Sequence, residues 1–296
     1  MKEHKFINII KKTVNSKYIG DDCAYLKDLG ITISQDNIVE DVHFLRKDIS
    51  AEQLGYKSAM VNLSDIAASG AEPKYMTIGL SLPKDINNDF VEDFYTGIKN
   101  ACKDVEIIGG DITSSDKIYI SICVIGITKN RKISSRSNAK IGYKIITSGN
   151  HGSSAAGLIE LLKGNRNNDF IKSHLEPKAQ IEFSKSISTR ITEDYAMMDT
   201  SDGLMDALYQ ISQASNVLLS VEFDKIPFDK NLTKYDNYKD LIFYGGEDYQ
   251  IVACVPKDLE VPNSYIIGEV KEGNGVEVDG IKHTDISKKI YNHFKE

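Results

Sequence analysis

The chain of 296 residues lacks any uninterrupted apolar run of about 18 residues, so no segment of the sequence reads as a membrane-spanning helix. Its N-terminus, Met1-Lys2-Glu3-His4-Lys5, leads into a short amphipathic segment without an apolar signal core or a small-residue cleavage site, and the cytoplasm is the expected compartment. Cysteine is sparse: Cys23, Cys102, Cys123 and Cys254 are scattered, with no paired spacing for zinc or a disulfide framework, and read as buried small hydrophobes. Basic residues are outnumbered, with 36 Lys and Arg against 43 Asp and Glu for a net charge of −7. That balance disfavours a nucleic-acid groove. An anionic substrate is compatible with it only if cations neutralise the carboxylates locally. Missing as well are a Gly-x-x-x-x-Gly-Lys-Ser/Thr loop and the kinase catalytic-loop set. Any phosphoryl transfer here rests on metals and positioning.

What is present is an ordinary globular composition, 41% hydrophobic and 27% charged, at a length that favours two domains. Residues 5–14 read as a first helix, with Phe6, Ile9 and Ile10 on one face, and strands follow at 23–27 and 31–35. Ser50 with Gln53 forms a capping-box pattern opening a long, mostly apolar helix that Gly70 ends. Thr77–Leu82 is a strand, 89–103 a helix, Val105–Ile108 a short apolar run stopping at Gly109-Gly110-Asp111, and Tyr119–Ile127 an alternating strand. This pattern is α+β in character, helices on one face of a sheet. The polar, basic stretch 130–140 reads as a linker, giving domains 1–138 and 139–296. The second half reads as α/β: a strand at 143–148, helices at 154–163, 177–189 and 204–214, with Pro177 in a first helical turn. Strands are expected at 196–198, 217–223 and 249–255, and then near 264–268 and 276–278 around a Gly273-Asn274-Gly275 turn.

One device recurs along this chain: an apolar run, a small-residue turn and a carboxylate. It appears at Asp21/Asp22, Asp36, Asp111, Asp199/Asp202 and Glu247/Asp248, and Asp65 adds a carboxylate inside the apolar helix. Each alone is more often a cap or a turn. Together they are a set of hard oxygen ligands, which suit Mg²⁺ and need a cation to hold them. Gly109-Gly110 allows close backbone approach to a phosphate, and the Ser201 hydroxyl stands where a helix N-terminus could meet an anion. Arg136 is either a charge-assisted phosphate contact or a solvated linker charge.

Gly20-Asp21-Asp22-Cys23-Ala24, Ser34-Gln35-Asp36, Glu40-Asp41-Val42-His43-Phe44, and Lys57 with Val61-Asn62-Leu63-Ser64-Asp65-Ile66-Ala67-Ala68 resemble the thiamine-monophosphate kinase family. So do Gly109-Gly110-Asp111, Asp199-Thr200-Ser201-Asp202-Gly203-Leu204, Gly245-Gly246-Glu247-Asp248-Tyr249 and the terminal Tyr291-Asn292-His293-Phe294. The resemblance implies ATP-dependent phosphorylation of thiamine monophosphate to thiamine diphosphate. It also implies an aminoimidazole ribonucleotide synthetase-like two-domain fold and a homodimer formed through the N-terminal sheet. By the same resemblance Asp22, Ser34, Gln35, Asp36, Asp65, Asp111, Asp199 and Asp202 hold several Mg²⁺ ions. Metal-bound Asp36, Asp111 and Asp202 promote transfer without a general base. Tyr95, Gly110, Asp111, Arg136 and Ser201 meet ATP, and His43, Glu247 and Tyr291 surround thiamine monophosphate.

The chain departs from the family pattern at Asp41, where Gly is common, and at Gln35, where Thr is frequent. Ile112 interrupts a Gly-Gly-Asp-Thr-Thr run, and Gly142-Tyr143 replaces a Gly-Asp. Asp tolerates positive φ, so the turn before His43 is expected to persist. The alternatives are another ATP-using member of the superfamily, whose chemistry calls for a reactive cysteine near a terminus, or a non-catalytic nucleotide- and Mg²⁺-binding protein.

Overall fold

The computed structural model describes residues 2–283 together with Ile286 and Lys289. The first half comprises α1 (Lys2–Val14), β1 (Ala24–Leu26), β2 (Ile31–Val39), α2 (Ala51–Ser69), β3 (Glu72–Leu82), α3 (Asn88–Ala101), β4 (Glu106–Ser114) and β5 (Tyr119–Ile127). Its sheet runs β1-β2-β5-β3-β4, with only the β3–β4 pair parallel. Alternation decides which face is covered. Ile38 pairs with Ile120, and Ile122 with Ile78, and these side chains are buried on the α2 side. The opposite face carries Gln35, Asn37 and Ser121 and is partly open.

Helix α2 opens as its sequence indicates: Gln53 N–H donates to Ser50 Oγ at 3.1 Å while Gln53 Oε1 accepts from Ser50 N–H at 3.3 Å. Gly70 closes it at φ 88°. Such a buried helix needs internal partners for its polar groups, and it has them. Ser58 Oγ donates to the Leu54 carbonyl at 2.7 Å and Asn62 Nδ2 to the Ser58 carbonyl at 2.9 Å. Helix α3 crosses α2 at a glycine pair: a Cβ on Gly55 would lie 1.9 Å from the Phe94 carbonyl oxygen, and one on Gly97 1.8 Å from that of Glu52.

The second half adds β6 (Lys144–Thr147), α4 (Ser153–Leu162), α5 (Asp169–Leu175), α6 (Ile181–Ser188), β7 (Ala196–Asp199), α7 (Leu204–Ser215), β8 (Leu218–Val221), α8 (Tyr238–Tyr244), β9 (Ile251–Val255), β10 (Tyr265–Lys271), β11 (Gly275–Val278) and β12 (Ile281–His283). The strands order β12-β11-β8-β10-β6-β9-β7, giving a two-domain α/β architecture with one sheet in each part.

Three expectations need correction. The run at 105–108 does not stop at the glycines: β4 continues through them to Ser114, because Gly110 has no Cβ to strike the Ile78 carbonyl oxygen, which would lie 1.9 Å away. Strands β10 and β11 are not partners around the Gly273-Asn274-Gly275 turn, since β8 lies between them, parallel to β11. The helix expected from Pro177 starts at Ile181, and α5 and α8, seven residues each, went unread because two turns show little periodicity. The stretch 130–140 is bonded to both halves: Lys132 N–H donates to the Ser188 carbonyl at 2.8 Å and Ser134 N–H to that of Ser69 at 2.9 Å.

Among the described residues no helix is long and apolar enough to cross a membrane. The four cysteines are free thiols; Cys23, Cys102 and Cys254 are buried and Cys123 is half-buried.

Candidate functional site

Asp22 on the loop before β1, Asp65 on α2 and Asp199 at the end of β7 converge, each offering a carboxylate oxygen within 4.8 Å of the others. Their approach is built by neighbouring hydroxyls. Ser34 donates to Asp65, Ser64 Oγ to Asp199 Oδ2 at 2.6 Å, and Ser201 Oγ to Asp199 Oδ1 at 2.9 Å. Asn62, held by its bond within α2, accepts the Asp36 N–H at 3.0 Å and ties β2 to the helix. Burial, with the charge of Asp22 second, raises the Asp36 carboxyl. Burial, then the charges of Asp36, Asp199 and Asp22, pushes the Asp65 carboxyl well up. Asp199 is pushed up to about 7 by burial and by Asp22, against its hydroxyl partners.

Like charges at this spacing repel by roughly 3 kcal/mol per pair at an effective dielectric of about 20. Among the described residues one side-chain cation, Arg136, is seen to answer them. Arg136 Nη2 lies 2.8 Å from Asp22 Oδ1 with its side chain only 16% exposed, and Nη1 donates to Gln210. The solvated-linker alternative for Arg136 is therefore excluded. Asp21 folds the same segment, accepting from Arg136 N–H at 2.8 Å and Ser135 Oγ at 2.9 Å. A single guanidinium leaves the group of four carboxylates net negative. An all-oxygen, largely half-buried and under-neutralised set fits a hard divalent cation such as Mg²⁺.

A second group lies beside the first. Glu247, in the left-handed region at φ 64°, receives Lys57 Nζ at 3.2 Å and His174 Nδ1 at 3.2 Å. Burial raises its carboxyl, but Lys57, His174 and His43 together hold it below the usual range. His174 is pushed down to about 4 by burial and then by Lys57. His43 Nδ1 accepts the Val39 N–H at 3.0 Å, which leaves the proton of a neutral ring on Nε2. Asp41 adopts φ 64° as expected, and Lys117 Nζ at 3.1 Å offsets its charge.

The acidic pair Glu247/Asp248 divides its work. Asp248 accepts N–H groups from Gly152 at 2.5 Å and Ser154 at 2.8 Å, so it caps α4 instead of joining the acidic group. Ser201 likewise turns to Asp199 and does not begin a helix, since α7 starts at Leu204.

Asp22, Ser34, Asp36, Asp65, Asp199 and Arg136 thus come together. Gln35, Gly110 and Asp111 do not join them within the chain. Asp111 aligns with Gly79 and Gly79 with Ser121, which accepts from Gln35 Nε2 at 3.1 Å. This row occupies the sheet face opposite α2, and β3 and β5 separate β4 from β2 by about 14 Å. Tyr95 is half-buried on α3, edge-to-face with Phe94 at 5.5 Å. Asp202 lies in the turn between β7 and α7. Tyr291 falls outside the described residues. Sequence reasoning gave no role to His174, which sits on a seven-residue helix without a legible pattern, or to Asn62 and Ser64. Three polar residues, Asn62, Ser64 and Asp65, within the apolar stretch 59–68 were the available signal for the latter two.

Residues 20–128 match the family model described as AIR synthase related protein, N-terminal domain. The chain is 37% identical to the thiamine-monophosphate kinase of Aquifex aeolicus (strain VF5), with 99% of this chain and 98% of that protein covered. Against the thiamine-monophosphate kinase of Bacillus subtilis (strain 168) the identity is 34%, with 94% and 93% covered. Among solved structures, AaThiL complexed with AMPPCP and TMP superposes with a TM-score of 0.91 at 37% identity, covering 99% of this chain and 98% of that one. A HypE-HypF complex superposes at 0.76 with 18% identity over 92% and 94% of the chains, a likeness of fold alone.

Proposed function

Because this chain belongs to the thiamine-monophosphate kinase family, we propose that it transfers the γ-phosphoryl group of ATP to thiamine monophosphate, yielding thiamine diphosphate and ADP. The observation that carries the reading is the convergence of half-buried Asp22 and Asp65 with buried Asp199. Asp22, Ser34, Asp36, Asp65, Asp199 and Asp202 hold Mg²⁺ in this reading. When bound, the cations screen the two phosphorylated substrates from each other and neutralise charge along an in-line transfer.

The chain's own side chains do the rest. Arg136, kept charged by Asp22, faces ATP. Ser201 keeps the Asp199 carboxylate oriented. His43 and Glu247 receive the acceptor; Lys57 keeps Glu247 ionised, so that it opposes the thiazolium charge. The acceptor is already an anionic phosphate oxygen, so no group need remove a proton from it.

The reading includes a homodimer formed through the first sheet, a domain boundary at residues 138/139 and a cytoplasmic setting. What supports the dimer is β4: an unpaired edge strand, exposed along its whole length, with Ile107, Ile108 and Ile112 on it. Pairing there brings Tyr95, Gly110 and Asp111, left apart within one chain, into a site shared between copies. Ile108→Lys with Ile112→Lys is expected to convert the dimer to monomer in sedimentation velocity, and an unchanged sedimentation coefficient refutes this interface.

The function itself is tested by ADP release from ATP and Mg²⁺ with thiamine monophosphate, with thiamine, and with no acceptor. Stimulation by thiamine monophosphate alone is expected. Equal rates in all three arms remove the assignment.

A further inference from the structure

Tyr249 follows Glu247 and Asp248 toward β9. Thr200 and Gln250 bond across the β7–β9 ladder, Thr200 N–H to the Gln250 carbonyl at 2.8 Å and Gln250 N–H to Thr200 Oγ1 at 3.0 Å. Since Asp199 pairs with Ile251, the register sets Tyr249 opposite Ser201, next to the loop that carries Asp199 and Asp202. Glu247 N–H donates to the Ser201 carbonyl at 2.7 Å, fastening the same point from the other side.

The backbone here is held in an uncommon form. Glu247 and Tyr249 have φ of 64° and 48°, a left-handed conformation that costs non-glycine residues on the order of 1 kcal/mol each or more and persists only where surroundings impose it. The consequence is visible in the packing. Although Tyr249 belongs to the second sheet's segment, it is 5% exposed and its ring lies in the hydrophobic core beneath the first sheet. The ring is thus fixed at the junction of the two halves, between the acidic group and Glu247.

Its hydroxyl is the unusual part. No hydrogen bond to it is made by any described residue, and since it is not one of the fully buried orphaned oxygens, the hydroxyl itself reaches solvent while the ring is buried. The charged groups it senses are Glu247 on one side and Asp199, Asp36 and Asp65 on the other. A phenol carries its proton at neutral pH, so it is available as a donor. A donor surrounded by anions and bonded to none of them is suited to an oxyanion that arrives with a ligand.

We propose that the Tyr249 hydroxyl touches the substrate, donating a hydrogen bond to a nonbridging oxygen of the acceptor's phosphate. The proposal rests on the functional reading above. In that reading the acceptor's thiazolium and pyrimidine rings meet Glu247 and His43 while its phosphate reaches the acidic group, so the molecule spans the position Tyr249 occupies. The hydroxyl then fixes the phosphate's rotation, aiming one oxygen at the donor phosphorus.

Tyr249→Phe removes the oxygen and keeps the ring. Because no protein group loses a partner, the thermal midpoint is expected to stay the same or rise. The value of kcat/KM for thiamine monophosphate is expected to fall roughly 10- to 100-fold, the worth of a hydrogen bond to a charged oxygen. Binding measured by calorimetry separates a phosphate contact from a structural role. The variant should lose affinity for thiamine monophosphate and keep that for thiamine, which lacks the phosphate. Unchanged kcat/KM, or equal losses for both ligands, overturns the proposal. Wild-type protein run alongside distinguishes the failures: if it too ignores thiamine monophosphate, the functional reading falls and takes this inference with it, whereas an active wild type with an equally active variant sinks the inference alone.

Discussion

Asp36→Asn is expected to lower thiamine monophosphate-dependent ADP release on the order of 1,000-fold while leaving the fold intact. The substitution is nearly isosteric and keeps the backbone N–H that donates to Asn62 at 3.0 Å, so β2 stays tied to α2. What it removes is one negative charge from a buried group whose carboxyls already raise one another's pKa. Without metal, that removal relieves repulsion, and the thermal midpoint of the variant should equal or exceed that of the wild type. With substrates, the missing ligand charge weakens cation binding where transition-state charge is neutralised, and a loss of about 4 kcal/mol in the barrier corresponds to the stated factor. Calorimetric unfolding without metal and a coupled ADP assay check the two halves. Retained turnover in a folded variant removes Asp36 from the site.

Gly97→Ala should be the most destabilising small change in the first half, at about 3 kcal/mol or more. The added Cβ would sit 1.8 Å from the Glu52 carbonyl oxygen, which is backbone within α2 and has no rotamer to yield. The helices must part, and α2 carries Lys57, Asn62, Ser64 and Asp65, so the acidic group loosens with the packing. Gly79→Ala is the control: its Cβ meets Ser121 at 3.6 Å, ordinary contact, and should be near neutral. Urea unfolding of both variants gives the comparison. Similar midpoints for the two would show that the crossing adapts.

The carboxylates that converge were legible in the chain as a set, because several of them end or interrupt apolar runs. Asp65 in α2 and Asp199 after β7 stood out only as members of a recurring set, since each alone reads as readily as a cap or a turn. Arg136 was ambiguous, since a basic residue in a polar stretch looks solvated until the fold lays Asp22 beside it. Asp248 misled for the converse reason, because a helix cap 94 residues upstream has no local mark. The order of β10, β8 and β11 was likewise beyond reach, as a glycine-rich turn signals a hairpin and parallel pairing across it depends on contacts far apart in the chain. The separation of Asp111 from Asp36 is a matter of register and sheet face, which composition does not encode.

The central claim is that the convergence of Asp22, Asp65 and Asp199 is a divalent-cation site that organises phosphoryl transfer. Manganese binding followed by electron paramagnetic resonance, with the non-hydrolysable analogue AMPPCP present, addresses it directly in wild-type protein and in Asp65→Asn. The account predicts that the variant binds fewer manganese ions per chain, or binds them at least tenfold more weakly, while its circular dichroism is unchanged. The same stoichiometry and affinity in both proteins would contradict it.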